Sequence, residues 1–317
     1  MAKLVQCIPH FSEGRRSEVV ERIVDTIRSA SGVAIVDYSM DVDHNRCVVT
    51  FLGSPEDVRA SMLAGARSAV ELIDMNKHEG VHPRIGAVDV IPVVPIGDVT
   101  MEEAIALGHE IGRDIARELQ VPVYFYEECA LRGHCANLAD VRKGGFEGLK
   151  KSGLVGDRAP DAGPSELHPT AGAVVVGARG PLIAYNINLA TDDASVARRI
   201  ASKIRKLRES GEGMAGVKAI GLLLASRGVA QVSFNITRPD LTGMWDVYSF
   251  VEREARAMGV EVLESELIGA IREEHLVDAM RSAMRFREFS SERMLETWIP
   301  HSGRKQATNS ELITRNS

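Results

Sequence analysis

Residues 78–82 read His-Glu-Gly-Val-His, an H-E-x-x-H pattern whose usual chemistry is metal-assisted hydrolysis. That chemistry needs a helix. Two histidines four apart then share one face and bind zinc, while the glutamate reaches the metal-bound water. Here Gly80 sits inside the pattern and Pro83 follows it directly. Proline disfavours helical backbone for the residue before it, which is His82. The five residues therefore belong to a loop, between a helix ending near Ile73 and a strand starting near Ile85. No third zinc ligand stands at a familiar offset, so no metal is expected. His78 reads as a loop residue. His82 has ionisable neighbours, Arg84 and Asp89, at the entry to an apolar run. Imidazole titrates near neutral pH, so His82 is a candidate for moving protons, with an ordinary loop residue as the alternative.

The elements around this loop follow from periodicity. Apolar residues recur at helical spacing at Val19, Val20, Ile23, Val24 and Ile27, after Ser17 as a plausible cap. Ser54 and Pro55 open a second helix. Short Val/Ile-rich strands precede, separate and follow these helices, giving the order β-α-β-β-α-β. A further helix from about Thr100 and a strand "PVYFYEEC" extend it. Residues 140–172 are rich in Gly, Pro, Lys and Asp with little periodicity, as expected of a linker or functional loop. "AVVVGARGPLIAYNINLA" reads as a strand or hairpin, and a second β-α-β-β-α-β follows, including a hairpin around "SRG". A weak internal duplication is expected. The expected class is α/β (α+β), with two ferredoxin-like βαββαβ subdomains over 1–178 and 179–300. The polar tail 301–317 is expected to fray.

The 317 residues, 44% hydrophobic and 26% charged, are those of an ordinary globular chain. A formal charge of −6 argues against nucleic-acid and membrane-surface partners. The N-terminus lacks a signal-peptide pattern, and no apolar run is long enough to span a bilayer. Cys7, Cys47, Cys129 and Cys135 form no C-x-x-C pair, which fits a reducing cytoplasm better than a disulfide framework.

"LVQCIPHFSEG", "DHNRCVVTFLG", "ELIDMNKHEGVHPRIGAVDVIPVVPI", "VPVYFYEE", "GPSELHPTAGAVVVGAR" and "LIAYNINL" together resemble glutamate formiminotransferases, from residue 3 to about 299. The resemblance implies transfer of a formimino group from N-formimino-L-glutamate to N5 of tetrahydrofolate, a step of histidine degradation. It implies tetrahydrofolate as co-substrate, a folate cleft between the two subdomains, a cytoplasmic homodimer, and His82 as the catalytic histidine. The folate-binding loop would be Gly163, Pro164, Ser165, Glu166, Leu167, His168, Pro169, Thr170, Ala171 and Gly172. Relatives carry Lys at the position of Glu79, which does not suit a zinc protease's base. Two departures stand out: His10 replaces an Asn, and Ala171 a Trp of the animal relatives. Both positions are expected to alter substrate or folate contacts. Cyclodeaminase activity is not expected.

The transfer needs one proton removed from N5 and one delivered to the leaving amine, which a single imidazole can manage in turn. A carboxylate would help hold a protonated formimino group; Asp41, Asp43 and Asp89 are candidates, with turn roles as the alternative for the first two. Arg46 and Arg84 are candidate forks for substrate carboxylates. Asn45, Asn186, Asn188 and Asn235 sit at strand ends and are candidates for the pterin edge or the substrate amide. A related folate enzyme acting on formiminoglycine or 5-formyltetrahydrofolate is the nearest rival, and a non-catalytic ferredoxin-like binding protein a more distant one.

Overall fold

A computed structural model describes residues 3–295. The expected tail, 301–317, lies outside the described residues. The chain divides into two compact units at Pro181–Leu182.

The first unit runs β1 (Lys3–Cys7), β2 (His10–Phe11), α1 (Ser17–Ala30), β3 (Ala34–Asp41), β4 (Arg46–Gly53), α2 (Pro55–Leu72) and β5 (Val88–Gly97). It continues with α3 (Met101–Leu119), β6 (Val123–Glu127), α4 (Leu138–Val141), α5 (Gly145–Ser152) and β7 (Val174–Ala178). Helix α1 begins at Ser17 itself, after Arg16 and with no side-chain cap, so the cap expected at Ser17 is not formed; α2 and α3 do start at side-chain caps. Ser54 accepts the Asp57 N–H ahead of Pro55, and Thr100 and Glu103 form a reciprocal capping box on α3. Val19, Val20, Ile23, Val24 and Ile27 of α1 are buried, each contributing roughly 1.5–3 kcal/mol.

Strands β1 and β2 form one interrupted strand broken at Pro9, which has no N–H for the ladder. That strand lies between β4 and β5, antiparallel to both, and β3 pairs with the far side of β4. This is the ferredoxin-like arrangement. Strands β7 and β6 extend it beyond β5, in parallel. Parallel extension buries both faces of the sheet. Helix α3 packs on one face, and Leu149 of α5 joins Ile85, Val90, Tyr124, Tyr126 and Val175 in a second core on the other. The 140–172 segment is therefore part cover and part connection.

The second unit runs β8 (Ile183–Leu189), α6 (Ala194–Ser210), β9 (Val217–Leu224), β10 (Val229–Ile236), α7 (Met244–Arg256), β11 (Val262–Ile268) and α8 (Glu273–Met284). Its sheet order is β11-β8-β10-β9, with every pairing antiparallel. It repeats the first unit's β5, β1/β2, β4, β3 order, so the duplication read in the sequence is present in the topology. The stretch expected as a strand or hairpin is two strands in different sheets: β7 completes the first unit and β8 opens the second. Gly180-Pro181 separates them, and adjacency in sequence could not reveal that β7 is captured between β5 and β6. Among the described residues no helix is long and apolar enough to cross a membrane.

Candidate active site

Residues 78–82 have irregular backbone between α2 and β5. The His78 Nε2–H donates to the Asn45 carbonyl at 2.8 Å, and its Nδ1 accepts from Arg84 Nε at 3.0 Å. Both ring nitrogens are occupied, so His78 is a structural strut and cannot serve as a zinc ligand in this arrangement. The loop is stitched onto the β3–β4 turn. Asn45 Nδ2 donates to the Glu79 carbonyl at 2.9 Å, its Oδ1 accepts the Gly14 N–H at 2.9 Å, and Val81 N–H reaches the Asp43 carbonyl at 3.2 Å. Gly80 is needed because a Cβ there would lie 2.3 Å from the His44 carbonyl oxygen.

His82 is oriented by its own neighbour. Its Nδ1–H donates to the Pro83 carbonyl at 2.8 Å, which leaves Nε2 with a free lone pair. Its ring lies 5.6 Å from that of His44. Burial, then the Arg46 and Arg142 guanidiniums, push its pKa well below the usual imidazole value, against the pull of the Pro83 carbonyl. His82 is therefore neutral near pH 7 and competent to accept a proton.

Those guanidiniums belong to a buried cluster. Asp89, fully buried, takes Arg46 Nη1 at 2.6 Å and Arg142 Nη2 at 2.5 Å on one oxygen. Its other oxygen accepts the Ile85 N–H at 2.9 Å. Burial alone would raise the Asp89 pKa, but the two arginines outweigh it and hold it below the carboxylate range. Burial lowers Arg46 to about 10 despite Asp89. Arg46 also donates to His10 Nδ1, at 3.1 Å from Nε and through a second contact from Nη2. Burial and then Arg46, Arg142 and His82 keep His10 neutral. Two guanidiniums face one carboxylate and two uncharged imidazoles, so the cluster carries an excess positive charge.

A bulge makes this cluster possible. His10 opposes Val90 on β5 and Phe11 opposes Val88, which leaves Asp89 as the extra residue. Val88 and Ile91 point into the helix-side core, while Val90 points into the opposite one. The break in alternation turns Asp89 towards the face that also carries His10 and Arg142.

The remaining residues singled out in the sequence have other neighbours. Arg84 donates bidentately to Glu147 of α5, at 2.8 and 2.6 Å, and to His78, so its fork is occupied. Asp41 accepts the His44 N–H at 2.7 Å within the β3–β4 turn. Asn186, Asn188 and Asn235 share one face of the second unit's sheet. Asn188 is fully buried, donates to Glu264 and Glu266 at 3.0 and 2.9 Å, and accepts from Gln231 at 2.9 Å. Asn186 also reaches Glu266, and Asn235 is exposed.

Residues 163–172 cross the first unit beside the His82 segment. The His168 side chain accepts the Thr170 and Ala171 N–H groups at 3.3 and 2.9 Å, closing a turn onto Gly172. Ala87 N–H bonds the Ala171 carbonyl at 2.8 Å, and Ala173 N–H bonds that of Ile85 at 3.1 Å. Pro164 and Leu167 are partly buried, while Ser165, Glu166 and Pro169 are exposed.

Residues 4–179 match the family model "Formiminotransferase domain, N-terminal subdomain", and residues 184–295 match "Formiminotransferase domain". The chain belongs to the formiminotransferase family. It is 43% identical over 289 residues to a glutamate formimidoyltransferase of Streptococcus pyogenes serotype M1, covering 91% of this chain and 96% of that one. It is 39% identical to one from Thermoplasma acidophilum, covering 92% and 96%. Against the formimidoyltransferase-cyclodeaminase of Sus scrofa it is 40% identical over 285 residues, 88% of this chain but 52% of the longer protein. The formiminotransferase described here is therefore an enzyme, a transferase.

In this formiminotransferase Arg142 carries no signal that sequence reasoning could have found. It lies just past the short helix α4 in an aperiodic segment, and only the fold brings it to Asp89. Gly86 is similarly decided by contact: a Cβ there would lie 2.0 Å from the Ala173 carbonyl oxygen and 2.7 Å from that of Ala171. Both are backbone atoms of the strand pairing. Gly86→Ala is expected to destabilise the formiminotransferase by about 1–3 kcal/mol, read from urea unfolding, because the ladder holding residues 171–173 must part. An unchanged midpoint would refute this close packing.

Proposed function

We propose that this chain transfers the formimino group of N-formimino-L-glutamate to N5 of tetrahydrofolate, releasing L-glutamate and 5-formiminotetrahydrofolate. The observation that carries the chemistry is the His82 imidazole, held as the Nδ1–H tautomer by the Pro83 carbonyl with Nε2 free. N5 attacks the formimino carbon while Nε2 takes its proton. The tetrahedral adduct then collapses, and the same imidazole returns the proton to the departing glutamate nitrogen. The excess positive charge of the Arg46–Asp89–Arg142 cluster favours an anionic donor beside that base. Asp89 is committed to two arginines, so it is not the counter-ion for a protonated formimino group.

Residues 163–172 are the proposed folate-binding segment. Their backbone is fixed by the His168 turn and by Gly172, whose φ of 73° suits glycine. The names of the Streptococcus and Thermoplasma relatives support glutamate as the donor's amino acid. The resemblance carries a homodimer and a cytoplasmic location into the same proposal.

The deciding measurement is turnover of formiminoglutamate with tetrahydrofolate, with formiminoglycine and 5-formyltetrahydrofolate assayed alongside. Formiminoglutamate is expected to give the highest kcat/KM. A preference for either of the others would replace this reading with a different folate-dependent reaction.

A further inference from the structure

Arg142 is nine-tenths buried, with its side chain 10% exposed, and it is held to Asp89 through Nη2. Its Nε–H is shut away from solvent and has no hydrogen-bond partner. A buried charged donor without an acceptor is costly, and native structures rarely tolerate one without a reason. The acceptors nearby are already in use. Asp89 is shared with Arg46 and Ile85, and His10 Nδ1 faces Arg46. The cluster thus has a spare cationic donor and a spare positive charge, side by side. Both lie close enough to His82 for Arg46 and Arg142 to act on its titration.

We infer that Arg142 receives the α-carboxylate of the formimino donor, with Arg46 sharing the charge through Asp89. This rests on the transfer reaction proposed above. A modest rotation of the guanidinium about its Asp89 corner brings the Nε–H to an entering carboxylate and completes a two-point fork. The chemistry of the substrates decides which carboxylate this is. In the donor, the α-carboxylate is attached to the carbon that bears the reacting nitrogen, so a base at the formimino group is necessarily a few ångströms from it. In the folate, the aminobenzoyl group separates N5 from the glutamate tail. A carboxylate receptor beside His82 therefore fits the donor and not the folate. Formiminoglycine carries the same α-carboxylate, so Arg142 serves both donors equally and the choice of glutamate over glycine lies elsewhere.

The test compares wild type, Arg142→Met and Arg142→Lys, with formiminoglutamate and its α-carboxamide analogue as donors. Losing one charge-assisted contact corresponds to roughly a 10–100-fold rise in donor KM for Arg142→Met, with the KM for tetrahydrofolate within about twofold of wild type. Wild type should lose a similar factor on the α-carboxamide, and Arg142→Met should then lose nothing more. Arg142→Lys keeps a cation for Asp89 but lacks the fork, so it should fold like wild type and still show the raised donor KM. Calorimetric binding of L-glutamate, weakened by both variants, reads the same contact without turnover. An unchanged donor KM, an effect on tetrahydrofolate instead, or an equal further loss on the α-carboxamide would overturn the inference. Absence of wild-type turnover on formiminoglutamate would instead sink the proposed reaction, with the glutamate titration still reporting on Arg142.

Discussion

His82→Ala lowers turnover of formiminoglutamate by roughly 10²–10⁴-fold, the range for removing a positioned acid–base group, while tetrahydrofolate still binds. The fold should survive, because His82 lies on a loop and its ring bonds the adjacent Pro83 carbonyl rather than a distant element. The pH profile carries a second signature. Burial and then Arg46, Arg142 and His44 lower the His82 pKa, against the pull of the Pro83 carbonyl, while Asp89 is paired with the two guanidiniums. In the free enzyme the acid limb of kcat/KM should therefore fall well below pH 6.5. A bound donor carboxylate offsets the arginine charge and lets the His82 pKa rise, so the acid limb of kcat should lie at higher pH than that of kcat/KM. Near-normal turnover in His82→Ala would remove His82 from the reaction. The same depressed values affect stability. Folded His10 and His82 bind fewer protons than the unfolded chain between their lowered pKa values and 6.5. Their contribution is intact above that window and declines as the pH falls through it.

Asp89→Asn should destabilise the protein by about 3–5 kcal/mol, the scale for leaving buried charges without their partner. The side chain is fully buried, and its removal strands the Arg46 and Arg142 guanidiniums together. That is a large fraction of the 5–15 kcal/mol that typically separates folded from unfolded states. The source of the loss is testable by a second substitution. Adding Arg142→Met to Asp89→Asn removes one of the two stranded cations, so the double variant should be more stable than the sum of the two singles predicts. Strict additivity in urea unfolding would show that the three groups do not act as a unit. Activity should fall with Asp89→Asn even where folding is retained, because Arg46 loses its partner and His10 depends on Arg46.

Much of the fold was legible because its local signals agree. The α1 stripe, the Ser54-Pro55 start, the helix from about Thr100 and the Val/Ile strands each marked an element where it is found. The repeat of βαββαβ followed from their order. The exclusion of a zinc helix at residues 78–82 was equally local, since Pro83 and Gly80 act on the backbone next to them. The strand pairing of β7 was not legible, because a buried parallel strand and half a hairpin look the same in sequence.

The sequence alone determined the family resemblance, the two-part α/β layout and the prominence of His82, because each rests on residue types at short, fixed spacings. Only the tertiary structure decided what surrounds His82. The bulge at Asp89 reverses a side chain that alternation would send elsewhere, and Arg142 arrives from an aperiodic segment 53 residues away in the chain. The same is true of what the other candidates do: His78 is held between the Asn45 carbonyl and Arg84, and the Arg84 fork is held by Glu147. Charge pairing between distant segments has no periodicity, so nothing short of the folded backbone can register it.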